Sequence, residues 1–284
     1  MQIELAWERL KAVLDQMGCA VLAYSGGVDS SLLLKAAAET LGPNLIAVTA
    51  DSPTYPPGEL QQATSYARSL GIRHRIIASD ELAQEAFAAN SSDRCYYCKN
   101  ELFAKIRRMA DIEGISFILD GTNADDSRDH RPGSKAAAEQ GVRSPLAELG
   151  FTKQDIRDLA RSKGLPMWNK PSLACLSSRI PYGTPITREL LATVQAAEDV
   201  IRGLGVSQVR VRHHGDTARI EIAQQEFSLI LADGVAERVV KAIKDLGFTY
   251  VCLDLEGYRT GSMNAVLKAP VSGMDAISSQ GAKE

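Results

Sequence analysis

The stretch Ser25-Gly26-Gly27-Val28-Asp29-Ser30 decides the fold, because it joins an apolar run at 19–24 to a helix-like run at 31–39. A strand that leads through a glycine turn into a helix is the repeating unit of parallel sheets. Glycines let the backbone approach an anion without a Cβ in the way, and the first amides and the dipole of the helix favour negative charge there. The stretch therefore predicts a phosphate-binding loop that uses Ser25, Gly26, Gly27, Asp29 and Ser30.

The spacing of this loop separates it from the commonest phosphate-binding loops. A Walker loop has four residues between its glycines and then Gly-Lys-Ser/Thr, and a dinucleotide loop reads Gly-x-Gly-x-x-Gly. The order Ser-Gly-Gly-x-Asp-Ser instead resembles the pyrophosphate loop of enzymes that split ATP into AMP and pyrophosphate. An ordinary glycine turn is the alternative, but Asp29 between two serines at a helix start favours ATP binding.

The composition of the chain is that of an ordinary globular protein. Of its 284 residues 45% are hydrophobic and 24% are charged, and the net charge is −3. No apolar run approaches the roughly 18 residues of a membrane span, and the first residues lack the basic-then-apolar order of a signal peptide. We therefore expect a cytoplasmic protein without a membrane partner. The slight acidity and the absence of a Lys/Arg block argue against a nucleic acid as the main partner.

Strands and single helices alternate through the first half of the chain. We predict strands at 19–24, 45–49, 73–78 and 115–120, which gives an α/β fold with a parallel sheet covered by helices on both faces. Ligands of such sheets bind at the carboxyl ends of the strands. Gly121 follows the fourth strand and is therefore a further candidate contact to the nucleotide.

The chain divides into four segments that differ in their sequence patterns. We expect an ATP-binding domain at 1–165, a functional linker at 166–186, a small α+β domain for substrate binding or oligomerisation at 187–270, and a flexible tail at 271–284. Prolines prevent the linker from forming one regular element. In the α+β domain we predict helices at 187–203 and 234–246 and strands at 208–213, 218–223 and 250–255. We also expect a homo-oligomer.

Cysteine spacing supplies a second chemical signal. Cys95 and Cys98 can share one metal centre or form a redox disulfide. A redox pair belongs at a strand-to-helix turn near the start of its domain, and a structural zinc needs two more ligands, for which the four histidines offer no paired spacing. Cys175, in the linker, is the candidate third thiol. Cys19 and Cys252 lie in apolar strands and indicate core packing.

Three thiolates around a cubane iron–sulfur cluster leave one iron without a protein ligand, and that iron can carry a substrate or an extra sulfide. We therefore predict an iron–sulfur centre on Cys95, Cys98 and Cys175. Zinc, or thiols that have no joint role, are the alternatives.

The chain as a whole resembles ATP-pyrophosphatase sulfur transferases and, within them, the LarE family, which matures the nickel-pincer nucleotide cofactor of lactate racemase. The resemblance runs through nearly the whole length. Besides the loop, it rests on these motifs: Asp93-Arg-Cys-Tyr-Tyr-Cys-Lys99, Asp120-Gly-Thr-Asn-Ala-Asp-Asp126 with Arg131-Pro-Gly133, Trp168-Asn-Lys170, Ser177-Ser-Arg-Ile-Pro-Tyr-Gly183, Ala197-Glu198, Val209-Arg-Val-Arg212 and Gly257-Tyr-Arg-Thr-Gly-Ser-Met-Asn264.

The resemblance implies a sulfur insertion. In the family, ATP activates a carboxylate of pyridinium-3,5-biscarboxylic acid mononucleotide as an acyl adenylate, and a sulfur nucleophile displaces AMP to leave a thiocarboxylate. The implied cofactors are ATP, Mg²⁺ at Asp29 and a [4Fe-4S] cluster that delivers sulfide. Adenylation supplies the leaving group that a carboxylate lacks, and Mg²⁺ with the loop would neutralise the departing pyrophosphate.

The resemblance also implies roles for residues outside the loop. Arg210, Arg212 and Arg259 would hold the phosphate of the substrate, since forked guanidinium groups suit phosphate oxygens. Alternation along a strand puts Arg210 and Arg212 on one face. The alternative to phosphate binding is that this face is simply solvated. Glu198 would contact the substrate or merely face water.

The linker carries the implied catalytic residues Cys175, Ser178 and Arg179. Arg179 would serve the AMP phosphate or the sulfur step, with a surface charge as the alternative. In some family members a linker cysteine gives up its own sulfur and becomes dehydroalanine. Our alignment puts that position at Ala174, next to Cys175, so a sacrificial route through Cys175 competes with delivery by the cluster.

Other functions share parts of this pattern. A tRNA thiolase has the same loop and cysteine arrangement, an ATP-dependent amidase of the NAD synthetase type has the same loop with ammonia as nucleophile, and a non-catalytic nucleotide-binding protein would bind ATP without releasing pyrophosphate. The sulfide donor is left open by the sequence.

Overall fold

The protein is described by a computed structural model, which covers residues 3–126, 132–171 and 174–259. The chain divides into two compact units, Met1–Gln195 and Ala196–Glu284. The strands are β1 (Ala20–Ala23), β2 (Leu45–Asp51), β3 (Arg73–Ala78), β4 (Ile118–Leu119), β5 (Val142–Arg143), β6 (Val209–His214), β7 (Thr217–Ile222) and β8 (Tyr250–Leu253). The helices are α1 (Ile3–Asp15), α2 (Val28–Leu41), α3 (Glu59–Ser69), α4 (Glu85–Ala88), α5 (Arg94–Ile112), α6 (Pro132–Glu139), α7 (Pro145–Glu148), α8 (Lys153–Ser162), α9 (Arg188–Arg202), α10 (Phe227–Leu231) and α11 (Val235–Lys244).

The first unit contains a five-stranded parallel sheet in the order β3-β2-β1-β4-β5. Its central strand β1 is paired on both sides, with Val21 opposite Ile46 of β2 and Ile118 of β4. This confirms the parallel α/β sheet predicted from the alternation of strands and helices. Strand β5 is an addition that the sequence pattern did not reveal, because Val142–Arg143 is too short to show a period.

Helices cover both faces of this sheet, as predicted. Side chains of α1, α2 and α8 pack against Leu22 and Leu45 in one core cluster. On the other face, Phe103 and Ile106 of α5 pack against Val21. Because successive strand residues point to opposite faces, strands buried on both sides must be apolar at nearly every position, as β1 and β2 are.

The strand order creates a switch point between β1 and β4. Strands β1, β2 and β3 follow one another outward, whereas β4 returns to the opposite side of β1. A crevice opens at the carboxyl ends of the strands where the order reverses. The loop Ser25–Ser30 follows β1 and Gly121 follows β4, so both segments reach this crevice.

The second unit is a small α+β fold, as predicted. Strands β6 and β7 are antiparallel, and β8 is parallel to β7. Its own core includes Ile201 of α9, Val211 of β6, Ile220 of β7 and Ile243 of α11. The helix α10 was not predicted. The expected tail at 271–284 lies outside the described residues.

Among the described residues, no helix combines the length and the apolar character needed to cross a membrane.

Candidate functional site

The turn before α2 depends on Gly26. Its φ is +75°, in the left-handed region that favours glycine. A Cβ at this position would lie 3.0 Å from the Cβ of Ala63 on α3. Both the backbone conformation and the close approach of α3 therefore explain why the sequence has glycine here.

The two serines of the loop are held together at the start of α2. The hydroxyl oxygens of Ser25 and Ser30 are 3.0 Å apart, and Ser30 Oγ donates to the carbonyl oxygen of Gly27 at 3.1 Å. The first amides of a helix have no acceptor within the helix, so they are available to an anion, and the helix dipole adds to the attraction. The loop thus has the local form of an anion-binding site.

Gly121 is in direct contact with the loop. A Cβ at Gly121 would lie 2.8 Å from the amide nitrogen of Ser30 and 2.9 Å from its Cα. Real Cβ atoms do not approach backbone atoms so closely, so the segment after β4 packs on the start of α2 only because residue 121 is glycine. The structure therefore brings two predicted ATP-site residues together, and their roles in binding stay predictions.

Asp29, the predicted Mg²⁺ ligand, forms an ion pair that the sequence reading missed. The ammonium of Lys153, the first residue of α8, donates to both carboxylate oxygens of Asp29 at 2.7 and 2.6 Å. Burial raises the pKa of Asp29, the charge of Lys153 opposes the rise, and the nearby carboxylate of Asp126 adds to it. A capping box of Thr152 and Asp155 fixes the start of α8 and hence the position of Lys153.

The three cysteines of the predicted iron–sulfur centre belong to the first unit. Cys95 and Cys98 lie in the first two turns of α5, and Cys175 immediately precedes a 3₁₀ turn at Leu176–Arg179. Burial raises the pKa of Cys98 far above its usual value, and the charges of Glu81, Cys175 and Cys95 raise it further. Cys98 is therefore within electrostatic reach of both other thiols.

No group of three or more His, Cys, Asp or Glu in the described residues is arranged around a single metal ion. A cubane cluster places a different requirement on its ligands, because each thiolate binds a different iron. The donor set fits a cluster in its chemistry, with free thiols at all three positions.

Hydrogen bonds fix the position of the linker that carries Cys175. Leu176 donates its amide to the carbonyl oxygen of Thr54 at 2.7 Å. Arg179 is fully buried and donates to the carbonyl oxygens of Ala174 at 2.6 Å and Cys175 at 2.8 Å. The alternative of a surface charge at Arg179 is therefore wrong. Its Nη1 also donates to Ser178 Oγ at 3.0 Å, so Arg179 contacts both of the other predicted catalytic residues of the linker.

Glu81 is a further residue of this region that the sequence reading missed. Its side chain is fully buried, and it accepts hydrogen bonds from the hydroxyls of Ser52, of Thr54 at 2.7 Å and of Ser79 at 2.8 Å. These donors compensate a buried carboxylate for the loss of water. Since the carbonyl oxygen of Thr54 also accepts from Leu176, Glu81 helps to hold the segment against which the Cys175 linker rests.

The predicted substrate arginines Arg210 and Arg212 share one face of β6, as alternation requires, and both are buried. Arg212 forms an ion pair of 2.8 Å with Glu221, and the guanidinium of Arg210 lies 5.4 Å from the ring centre of Tyr258. The alternative that these two arginines lie on a solvated strand face is therefore wrong. Arg259 differs, because it is exposed and pairs with Glu256.

Glu198 is fully buried on α9 and does not face water. Its carboxylate accepts the amide of Val211 at 3.2 Å and pairs with Arg202. Glu221, which the sequence reading missed, lies opposite Arg210 in the register of β6 and β7. Two buried carboxylates of the second unit thus have guanidinium partners, Glu198 with Arg202 and Glu221 with Arg212 and Arg219. The contact of each residue with substrate stays a prediction.

Comparisons with known proteins find a matching domain family and a named synthase among the relatives. The asparagine synthase family model matches residues 14–125, which contain the loop and β1 to β4. A pyridinium-3,5-bisthiocarboxylic acid mononucleotide synthase from Lactiplantibacillus plantarum is 40% identical over 259 residues, which is 91% of this chain and 93% of that protein.

Two other relatives extend the comparison. An uncharacterised protein from Synechocystis, slr1717, is 44% identical over 93% of this chain and 99% of its own length. A glutamine-hydrolysing GMP synthase from Aeropyrum pernix is 26% identical over 70% of this chain and 42% of its own length. The similarity to the mononucleotide synthase spans both compact units, and the chain therefore belongs to the LarE family of pyridinium-3,5-bisthiocarboxylic acid mononucleotide synthases.

Proposed function

We propose that this protein uses ATP to convert a carboxylate of pyridinium-3,5-biscarboxylic acid mononucleotide into a thiocarboxylate. ATP would form an acyl adenylate with release of pyrophosphate, and a sulfur nucleophile would then displace AMP. The observation that carries the proposal is the 40% identity to the named synthase across 91% of the chain. The loop Ser25–Ser30, which packs against Gly121 and has the local form of an anion-binding site, supports the use of ATP.

The loop would hold the phosphates of ATP, and Asp29 would hold Mg²⁺. The donors fit this ion, because Mg²⁺ is commonly bound by one or two carboxylates together with substrate phosphates, and Asp126 lies within electrostatic reach of Asp29. When bound, Mg²⁺ would neutralise charge on the departing pyrophosphate. The charge of Lys153 opposes the rise in the pKa of Asp29 that burial causes, and it offers a second positive charge at the loop.

The second unit would bind the nucleotide substrate. Arg210 and Arg212 are held on one face of β6 by neighbouring buried groups, so their guanidinium groups are orientated before substrate arrives. Preorganised guanidiniums suit a phosphate monoester. Arg259 is exposed and could add a third guanidinium, and Glu198 fixes the backbone of β6 through the amide of Val211.

The sulfur would be delivered at Cys95, Cys98 and Cys175 by a [4Fe-4S] cluster. When bound, the cluster would supply an iron without a protein ligand, at which sulfide can be held. Cys95 and Cys98 are fixed by α5, whereas Cys175 is fixed by the contacts of Leu176 and Arg179 in its linker. Thiols with raised pKa lose their protons when a metal binds, so loading would release protons.

The sacrificial route through Cys175 is the competing mechanism, since Cys175 lies in the linker next to the buried Arg179. The two mechanisms differ in metal content and in the mass of the protein after turnover. Iron and acid-labile sulfide would be measured on anaerobically purified protein, beside Cys95→Ala, Cys98→Ala and Cys175→Ala variants. Iron in the wild type and its loss in all three variants is the expected result.

An iron-free wild type that works once and loses one sulfur at Cys175 by mass spectrometry would replace the cluster mechanism by the sacrificial one. Failure to form pyrophosphate from ATP with the pyridinium substrate would instead contradict the proposed activity itself. Cys19→Ala is the matched control, because Cys19 immediately precedes β1 and is not one of the three cysteines of the predicted centre.

We further propose a cytoplasmic location and a homo-oligomer. All five cysteines are free thiols in the structure, as is usual in a reducing compartment. The second unit exposes several apolar side chains, including Leu231, Tyr250 and Leu255, of the kind that often mark contact surfaces. Light scattering of the purified protein tests the oligomeric state.

A further inference from the structure

Arg219 of β7 lies directly opposite Arg212 of β6 in the register of the two strands. Residues that are directly opposite each other share one face of a sheet, so both guanidinium groups belong to the face that also carries Arg210. Like charges at directly opposite positions destabilise a pair of strands. Two arginines in this arrangement therefore require negative charge close to them.

One buried carboxylate holds both guanidinium groups. An oxygen of Glu221 accepts a hydrogen bond from Arg212 at 2.8 Å, and its other oxygen accepts from Arg219 at 3.0 Å. The nearest oxygen of Asp254 is 3.6 Å from Nε of Arg219, and this buried Nε–H has no hydrogen-bond acceptor among the described residues. Glu221 thus fixes the orientation of Arg219 but does not use all of its donors.

This face of the sheet carries more positive than negative charge. Counted over the described residues of β6, β7 and β8 together with Asp254, three guanidinium groups face two carboxylates. The pKa of His214 at the end of β6 responds to this excess. Burial lowers it, the charges of Arg219 and Arg212 lower it further, and Glu221 opposes the change. The face is therefore suited to a bound anion.

Arg219 is the accessible member of this group. Its side chain is 34% exposed, compared with 5% for Arg212 and 1% for Glu221. A ligand can reach the guanidinium of Arg219 from solvent, whereas the buried Glu221 holds it in place from the protein side. The sequence did not mark Arg219, because its relation to Arg212 and Glu221 depends on the register of β6 and β7.

The arrangement favours a phosphate monoester over a carboxylate as the anion. A phosphate monoester offers three acceptor oxygens and up to two negative charges, so it can bridge two guanidinium forks, whereas a carboxylate is satisfied by one. Side chains that are directly opposite on antiparallel strands start about 4.5–5.5 Å apart at Cβ, so one phosphate can contact both. The proposed substrate carries one phosphate monoester.

We propose that Arg219 is a further contact to the phosphate of the nucleotide substrate, beside Arg212, and that Glu221 orients it for this contact. The inference rests on the proposed function, since it names the side chain that the phosphate of that substrate meets at the accessible side of the sheet face. Binding forms and breaks no covalent bond. Glu221 acts as a positioning residue, because it touches the two guanidinium groups.

The test compares wild type with Arg219→Gln for two ligands that differ only in the phosphate. The ligands are pyridinium-3,5-biscarboxylic acid mononucleotide and its phosphate-free riboside, and calorimetry gives their affinities in the absence of ATP. Arg219→Gln should bind the mononucleotide about tenfold to a hundredfold more weakly. Its affinities for the riboside and for ATP should equal those of the wild type. Arg238→Gln is the matched control, because Arg238 is an exposed arginine of α11 in the same unit.

A merely structural role of Arg219 predicts a different result. If Arg219 only supported the sheet, Arg219→Gln would lose affinity for the mononucleotide and the riboside by the same factor, and this outcome would overturn the proposal. An unchanged affinity for the mononucleotide would overturn it as well. Arg219→Lys keeps the charge but not the planar fork, so it should recover part of the affinity for the mononucleotide.

A measurement on the wild type decides the question if Arg219→Gln does not fold. Phenylglyoxal modifies accessible guanidinium groups, and mass spectrometry of the peptides locates the modified arginines. The mononucleotide should protect Arg219, the riboside should not, and Arg238 should react equally in every sample. Equal modification of Arg219 with and without the mononucleotide, or equal protection by the riboside, would refute the contact with phosphate.

The same ligands separate this inference from the proposed function. A wild type that binds neither the mononucleotide nor the riboside contradicts the proposed substrate, and the contact with Arg219 falls with it. A wild type that binds the mononucleotide with the same affinity as Arg219→Gln leaves the proposed function intact and refutes only the role of Arg219.

Discussion

At the scale of single residues, the position of the proposed ATP loop depends on Gly121. This residue has no Cβ and can therefore lie directly against the start of α2. Gly121→Ala would put a methyl group 2.8 Å from the amide nitrogen of Ser30. Such overpacking costs about 1–3 kcal/mol, and it would move the helix start that we propose binds phosphate. We expect ATP affinity to fall about tenfold, measured by calorimetry.

Gly203→Ala is the matched control for Gly121→Ala. Its Cβ would meet carbonyl oxygens no closer than 3.4 Å, near the limit of ordinary contact. This variant should keep wild-type ATP affinity. Equal ATP affinities of Gly121→Ala and the wild type would show that the contact with Ser30 does not shape the binding site.

Lys153→Met removes the ammonium that faces Asp29. A contact between charged groups contributes about 1.5–3 kcal/mol, so pyrophosphate release should slow by about tenfold to a hundredfold in kcat/KM. Folding should change little, since partly exposed ion pairs contribute about 0–1 kcal/mol. Pyrophosphate assays and urea unfolding measure the two effects. Lys163→Met, which loses an ion pair with Glu4 next to the same helix, should leave both unchanged.

At the scale of elements, the side chain of Asn90 holds the linker. Asn90 is fully buried and has a φ of +58°. Its amide nitrogen donates to the carbonyl oxygens of Pro181 and Thr184, both at 2.8 Å, and its oxygen accepts from Arg94. The bond from Arg94 fixes which end of the carboxamide faces the linker. Asn90 therefore connects the segment after Arg179 with the start of α5.

Asn90→Gly and Asn90→Ala separate the side chain from the backbone. Both variants lose the carboxamide, which should cost about 2–3 kcal/mol of stability. Alanine should be less stable than glycine by about a further 1–2 kcal/mol, because a Cβ disfavours a positive φ. Urea unfolding measures the difference. If alanine and glycine are equally destabilising, the left-handed conformation carries no cost at this position.

The helices and strands differ in how well the sequence predicts them. Apolar runs predicted β1 to β4, and the glycine loop predicted the start of α2, because both signals are local. Strand β5 is two residues long and had no pattern to read. Helix α10 was missed for the same reason of length.

The sequence also did not predict those site residues whose partners are far away along the chain. Lys153 is 124 residues from Asp29, and Glu81 is 27 residues from Thr54, so neither pair has a spacing that marks it. Glu221 is recognisable only once the register of β6 and β7 is known. The residues of the loop Ser25–Ser30 could be recognised from residue type and order in the sequence. In contrast, Lys153, Glu81 and Glu221 could be assigned only once the fold was known.

At the scale of the whole molecule, the two predicted binding tasks belong to different compact units. The pyrophosphate loop lies in Met1–Gln195, and Arg210 and Arg212 lie in Ala196–Glu284. Each unit has its own core, so a change in one core cluster need not disturb the other. Binding of ATP and of the pyridinium nucleotide should therefore be separable by mutation.

The double variant Arg212→Met/Glu221→Gln tests this separation. Removing Arg212 alone would take away the guanidinium that faces the buried charge of Glu221, so both charges of the ion pair are removed together. Loss of a guanidinium contact to phosphate should raise the KM for the pyridinium nucleotide by about tenfold to a hundredfold. The affinity for ATP should stay at the wild-type value, because Ser25–Ser30 is untouched. Steady-state kinetics give the KM, and calorimetry gives the ATP affinity. A variant that loses both affinities together would contradict separate binding tasks, and one that loses neither would remove Arg212 from the substrate site.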